Sequence, residues 1–201
     1  MSITIVNLSK KYKRRLILDR ITFRFKNNNH YCIKGENGIG KSTLFKAILN
    51  QVKYDGYIEV EGNIAYQPEE SIFPPYMSVL CFIKTLSTIT YKNECIDEEI
   101  EEMLDMFDIK EYINAQLGSL SKGQRQKVNI IQAILTKSDV LMLDEPLNAL
   151  DTLSRCKLIN YLKNDERLII VISHLTEEFK DNGFQIVELK ENGFKYLPSF
   201  Y

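Results

Sequence analysis

The run Gly35-Glu36-Asn37-Gly38-Ile39-Gly40-Lys41-Ser42 constrains this chain more than any other stretch. It follows a strand-like segment, His30 to Ile33, and opens a helix-like one, Lys41 to Leu49. Glycines at positions 35, 38 and 40 let the backbone curl without Cβ clashes, so that its N–H groups converge on phosphate oxygens. The helix adds the positive end of its dipole at the same point. Lys41 can then reach β- and γ-phosphates, and the Ser42 hydroxyl can ligate Mg²⁺. A strand–loop–helix unit of this kind commits the chain to an α/β core.

The other segments agree with that core. Ile3 to Leu8 and Ile21 to Phe25 alternate and read as strands, with a polar turn at Asn27-Asn28-Asn29. Tyr57 to Val60 and Ile64 to Tyr66 are short strands around a Gly62-Asn63 turn. Val140 to Leu143 and Leu168 to Ser173 are nearly all apolar, as strands buried on both faces of a parallel sheet are. Pro68, Pro74 and Pro75 mark an irregular passage, after which Ser78 to Ile113 turns helical. There Ile96, Ile100, Met103, Leu104 and Phe107 share a face, and Glu98, Glu99, Glu101, Glu102 and Asp105 fall largely off it, which reads as solvated. Ser121 to Leu135 is a further helix, and Gln185 to Tyr196 a hairpin around Asn192-Gly193.

The 201 residues suit one domain, with room for two lobes, and the formal charge of -1 gives no electrostatic footprint for nucleic acid. No apolar run reaches the roughly 20 residues of a membrane helix, and the N-terminus carries no secretory pattern. Cys32, Cys81, Cys95 and Cys156 are scattered, which reads as reduced packing residues of a cytoplasmic protein.

Val140 to Leu143 runs straight into Asp144 and Glu145. Asp144, at the strand end, can hold Mg²⁺ directly or through water. Glu145 is placed to polarise an attacking water as general base. Between loop and acidic pair stands Leu120-Ser121-Lys122-Gly123-Gln124. It resembles the Leu-Ser-Gly-Gly-Gln signature of ATP-binding cassette (ABC) ATPases, and Arg125-Gln126-Lys127-Val128 continues the likeness.

That resemblance covers nearly the whole chain. It implies an α/β fold, with a P-loop NTPase core, an N-terminal antiparallel β layer and an inserted α-helical subdomain. Residues 1–73 and 134–201 would form the catalytic lobe, and 74–133 the helical signature lobe. Tyr12 matches the family's adenine-stacking aromatic, and Gly35, Asn37, Gly38, Gly40, Lys41, Ser42 and Thr43 its ATP-binding loop. Gln67 matches the glutamine that senses Mg²⁺, beside Ser42 and Asp144 as metal ligands. His174 matches the histidine at the γ-phosphate, and makes a catalytic set with Glu145 and Lys41. Asn148-Ala149-Leu150-Asp151 resembles the loop that crosses the dimer interface, and Asp151 also suits a helix N-cap.

The family pairs two cassettes head to tail, each ATP lying between the loop of one and the signature of the other. Ser121, Gly123 and Gln124 would therefore act in trans. The resemblance implies ATP and Mg²⁺ as cofactors, and a homodimer or heterodimer as the working form. It implies a separate transmembrane permease as partner, no nucleic acid, and a cytoplasmic location on the inner face of the cell membrane. The expected role is a transporter motor, leaning to an exporter of a peptide, antibiotic or other small molecule. The alternatives are a soluble cassette acting on a ribosome, DNA or an assembly complex, a small-molecule kinase, and a non-catalytic binding subunit. The chain departs from the family pattern in two places. Lys122 replaces the first signature glycine, and Gln67 precedes a proline where many relatives have the glutamine after it.

Overall fold

A computed structural model describes residues 1–27, 29–91, 97–191 and 193–196. In chain order the elements are β1 (Ser2–Tyr12), β2 (Arg15–Lys26), β3 (Tyr31–Lys34), α1 (Lys41–Ile48), β4 (Asp55–Val60) and β5 (Ile64–Gln67). There follow α2 (Val79–Tyr91), α3 (Asp97–Met106), α4 (Lys122–Leu135), β6 (Val140–Asp144) and α5 (Thr152–Lys163). The chain closes with β7 (Leu168–Ile172), α6 (Thr176–Lys180), β8 (Gln185–Lys190) and β9 (Gly193–Tyr196).

Two sheets form. One is antiparallel in the order β2-β1-β4, and the other runs β5-β6-β7-β3-β8-β9 with all but β9 parallel. Strands β1 and β2 outrun the alternating segments that announce them. Register shifts interrupt their ladder, and Asn7 (φ 52°) and Arg20 (φ 47°) take up the kinks. The β8–β9 hairpin is as expected, although Asn192 lies outside the described residues.

Period-two alternation splits the buried strands between two cores. Val140, Met142, Leu168, Ile170 and Ile172 join the antiparallel sheet and α1. Leu141, Leu143, Ile169 and Val171 join the helical side, with Ile83, Leu104, Phe107, Val128 and Ile131. Each such side chain contributes about 1.5–3 kcal/mol on burial. The parallel sheet is therefore clamped from both faces, and its strand ends are held rigidly where the loops emerge.

The helical stretch from Ser78 to Ile113 divides into α2, α3 and a short 3₁₀ turn at Lys110–Tyr112. Ile100, Leu104 and Phe107 are buried and Met103 is half-buried, while Glu98, Glu99, Glu101, Glu102 and Asp105 are exposed. Ile96 lies outside the described residues. Lys110 pairs with Glu101 and Asp105, so the acidic run is a solvated, ion-paired face. The cysteines correct the reading of them as packing residues. Cys32 is buried, but Cys81 and Cys156 are exposed, and Cys95 falls outside the described residues. Among the described residues no helix is long and apolar enough to cross a membrane.

Candidate functional site

The loop from Gly35 to Gly40 joins β3 to α1, and its conformation is written in its glycines. Gly40 is the N-cap of α1 at φ 113°, and a Cβ there would meet Leu18 Cδ2 at 2.8 Å. Conformation and space both exclude any other residue. Lys41, the first residue of the helix, is 8% exposed, and its Nζ donates to the carbonyls of Gly35 (2.8 Å) and Glu36 (3.1 Å).

Above this loop opens a cleft of about 330 Å³, lined by Tyr12, Ile17, Asn37, Gly38, Gly40, Lys41, Ser42, Thr43, Glu69, Asp144, Glu145, Asn148, Ile172 and His174. Ten of the residues expected at the nucleotide thus meet in one place, drawn from β1, the loop, α1 and the ends of β6 and β7. Tyr12 stands at the β1–β2 turn, 44% exposed, with Lys10 Nζ 4.7 Å from its ring centroid. Gly35 is not part of the lining. Its carbonyl instead braces Lys41.

A larger cleft, about 630 Å³, lies among Thr136, Lys137, Lys157 and Arg167. Its cations already have partners: Arg167 binds Asp165 and the carbonyls of Ile134 and Thr136, and Lys157 binds Asp108. None of the expected site residues lines it, and we assign the site to the smaller cleft.

Strand β6 delivers Asp144 and Glu145 into that cleft, 3% and 6% exposed. Burial pushes the Asp144 carboxyl up to about 6, against a hydrogen bond from Ser42 that lowers it. Burial likewise raises Glu145, while the His174 backbone N–H, bonded to Oε2 at 3.3 Å, and the Lys41 charge lower it. His174 Nε2 lies 3.3 Å from Glu145 Oε1, a contact of proximity that lacks hydrogen-bond alignment. Asp144 Oδ1 and Glu145 Oε1 are buried acceptors without a hydrogen-bond donor. Such orphaned acceptors beside a serine hydroxyl fit a hard divalent cation that arrives with phosphate oxygens. Among the described residues no three His, Cys, Asp or Glu side chains converge to hold a metal ion, so these side chains alone do not fill a coordination shell. Ser42 and Lys41 compensate the buried Asp144 charge only in part, so the charge costs the folded chain stability. Asp144→Asn is expected to raise the thermal midpoint of the nucleotide-free protein at neutral pH by several degrees, about 1–2 kcal/mol, while sharply lowering Mg²⁺-dependent turnover. Calorimetry and ATPase assays measure the two halves.

Gln67 corrects the expectation placed on it. The residue is fully buried and does not line the cleft. Its Nε2 donates to the Pro68 and Asp144 carbonyls, so it supports the strand end from below. Glu69, beyond Pro68, occupies the cleft instead, and its charge reaches Asp144 and Glu145. The position after the proline was the signal for Glu69. Ile17 carried no such signal, and Asn148 was expected in the loop at the dimer interface rather than in the cleft lining.

Ser121, Gly123 and Gln124 lie outside this cleft. Ser121 caps α4: its Oγ accepts from Gln124 N–H at 3.2 Å, and Gln124 Oε1 accepts from Ser121 N–H at 2.8 Å. Gln124 is therefore engaged in the capping box. A Cβ on Gly123 would come within 2.8 Å of the Ala149 carbonyl, so close packing demands this glycine. Lys122 lines a separate groove of about 300 Å³ with Glu69, Glu70 and Arg125. Asp151 is the N-cap of α5, accepting from Ser154 N–H at 2.8 Å, and that bond first, then the Ser154 hydroxyl, holds its carboxyl down to about 2.

A family model described as ABC transporter matches residues 18–148. The uncharacterized ABC transporter ATP-binding protein MJ1023 of Methanocaldococcus jannaschii is 30% identical over 194 residues, spanning 94% of this chain and 74% of that protein. The zinc import ATP-binding protein ZnuC of Rickettsia conorii is 30% identical over 190 residues, spanning 90% of this chain and 79% of that one. The dimeric structure of MJ0796, a bacterial ABC transporter cassette, shares the fold, with a TM-score of 0.85 over 98% of this chain and 100% of that chain at 22% identity. With that fold, a phosphate loop facing two buried carboxylates and a matched sequence, this chain belongs to the ABC transporter family and is its ATP-hydrolysing cassette.

Proposed function

We propose that the chain is the motor of a transporter whose membrane-spanning permease is a separate protein. What carries this reading is the cleft that joins Lys41, Ser42, Asp144, Glu145 and His174, while Ser121 stands at a helix N-terminus outside it. Tyr12 stacks on adenine, the backbone from Gly35 to Thr43 holds phosphates, and Lys41 neutralises the β- and γ-phosphates. Ser42 and Asp144 hold Mg²⁺, with Glu69 in the position foreseen for Gln67. Held by these residues, Mg²⁺ would supply positive charge to offset that of the phosphates. Glu145 takes the proton of the attacking water, and His174 contacts the γ-phosphate.

One chain does not complete the site. A second copy, or a related cassette, brings its Ser121 and Gly123 to the γ-phosphate from the α4 N-terminus. Gln124 secures that N-terminus, and the loop ending at Asp151 crosses between the partners. The similar MJ0796 cassette is dimeric, which supports such a pair. ATP then acts as the adhesive, and loss of the γ-phosphate opens the dimer. Residues 74–133 move as a signature lobe against 1–73 and 134–201, and push on the permease at the inner face of the membrane. The near balance of 26 basic and 27 acidic residues leaves no net positive charge to draw the chain to nucleic acid. The exporter lean has a competitor, because the similar ZnuC is named for zinc import. The permease decides the direction, since it alone touches cargo.

Tagged full-length chain recovered from detergent-solubilised native membranes tests the assignment. A co-purifying protein with several membrane helices is expected. Recovery of only ribosomal or other soluble partners would overturn the transporter reading and move the ATPase to a soluble role on a ribosome, DNA or an assembly complex.

A further inference from the structure

Glu145 has left-handed backbone, φ 50°. For a residue with a Cβ this conformation is strained and persists only where neighbours over-determine it. The Glu145 N–H donates to the Ile172 carbonyl at 2.8 Å, and its carbonyl accepts from Asn148 N–H at 3.1 Å. A further restraint comes from α4. Gln126 Nε2 donates to the Pro146 carbonyl at 3.0 Å and to the Glu145 carbonyl at 3.4 Å. Gln126 is 8% exposed, so water does not readily replace these bonds. The same first turns of α4 press on the same loop at a second point, where Gly123 admits the Ala149 carbonyl. Ala149 is itself left-handed, φ 61°.

We propose that Gln126 is a positioning residue for hydrolysis. It holds the strained backbone of Glu145, and with it the aim of the carboxylate, and it ties that aim to the helix capped by Ser121. The proposal rests on Glu145 being the general base. In a head-to-tail pair, one α4 presents Ser121 to the nucleotide of the opposite cleft while its Gln126 steadies the base of its own. A shift of α4 at one nucleotide therefore reaches the base at the other.

Gln126→Leu keeps the volume and removes the donor. In the full-length chain it is expected to lower kcat about tenfold or more, with the KM for ATP and the affinity for a fluorescent ATP analogue unchanged within about twofold. Added to Glu145→Gln, it is expected to change the residual turnover by less than about twofold, because both act through one carboxylate. An unchanged kcat, a parallel loss of nucleotide affinity, or losses that multiply in the double variant would overturn the proposal and leave Gln126 a folding residue. Thermal midpoints check folding. If the leucine variant does not fold, Gln126→Met, which keeps the length but not the donor, is read by the same split. Full turnover in Glu145→Gln alone would instead overturn the general-base reading beneath the proposal, a distinct failure.

Discussion

Glu145→Gln is expected to lower ATP turnover by about 10²–10⁴-fold while the protein still binds ATP. Glu145 is 6% exposed, its Oε2 accepts from His174 N–H, and its Oε1 has no donor. One oxygen is thus fixed and the other is left to take a proton. Glutamine matches the shape and keeps the backbone restraints, but it cannot act as a base. The nucleotide contacts from the loop and from Lys41 are untouched. A pair of cassettes closed around ATP then has no exit, because its γ-phosphate stays in place. Light scattering should show a monomer without nucleotide and a dimer with Mg-ATP. A monomer in both conditions would count against the sandwich, and undiminished turnover against Glu145 as base.

Lys41→Ala should abolish turnover and weaken nucleotide binding by at least about a hundredfold. Lys41 is 8% exposed, lines the cleft, and its ammonium donates to the Gly35 and Glu36 carbonyls. Removing it costs charge-assisted bonds to phosphate and leaves the phosphate facing Asp144, Glu145 and Glu69 uncompensated. Equilibrium binding of a fluorescent nucleotide and a phosphate-release assay measure both effects. Unchanged ATPase activity would remove the loop from the site.

Most of the site was legible because its constraints are local. A loop of glycines between a strand and a helix is specified by backbone sterics within a few residues, and Gly40 at φ 113° is the case in point. An apolar run ending in Asp144-Glu145 announces a buried strand with carboxylates at its tip, and the structure has that arrangement. Gln67 was different. Alternation along β5 holds only to the strand's last residue, and that residue turned inward against Asp144. Past Pro68 no periodicity governs which side chain enters the cleft, and Glu69 does. The exposed Cys81 and Cys156 escaped for a related reason. Burial on a helix depends on which face meets a neighbour, and a residue type alone does not say.

By itself the amino-acid sequence determined the phosphate loop, the acidic strand end and the α/β class, since each is encoded in contiguous residues with a steric or periodic rule, and it carried the family signature by resemblance. Only the tertiary structure decided that Glu69 displaces Gln67 from the cleft, that Gly123 is required by the Ala149 carbonyl, and that Gln126 reaches the backbone behind Glu145. These are contacts between segments 19 to 77 positions apart, as with Gln126 to Glu145 and Gln67 to Asp144. No local rule sets such distances. They follow from how two cores close on the two faces of one sheet, and from the need of every buried amide and carbonyl brought together there to find a partner.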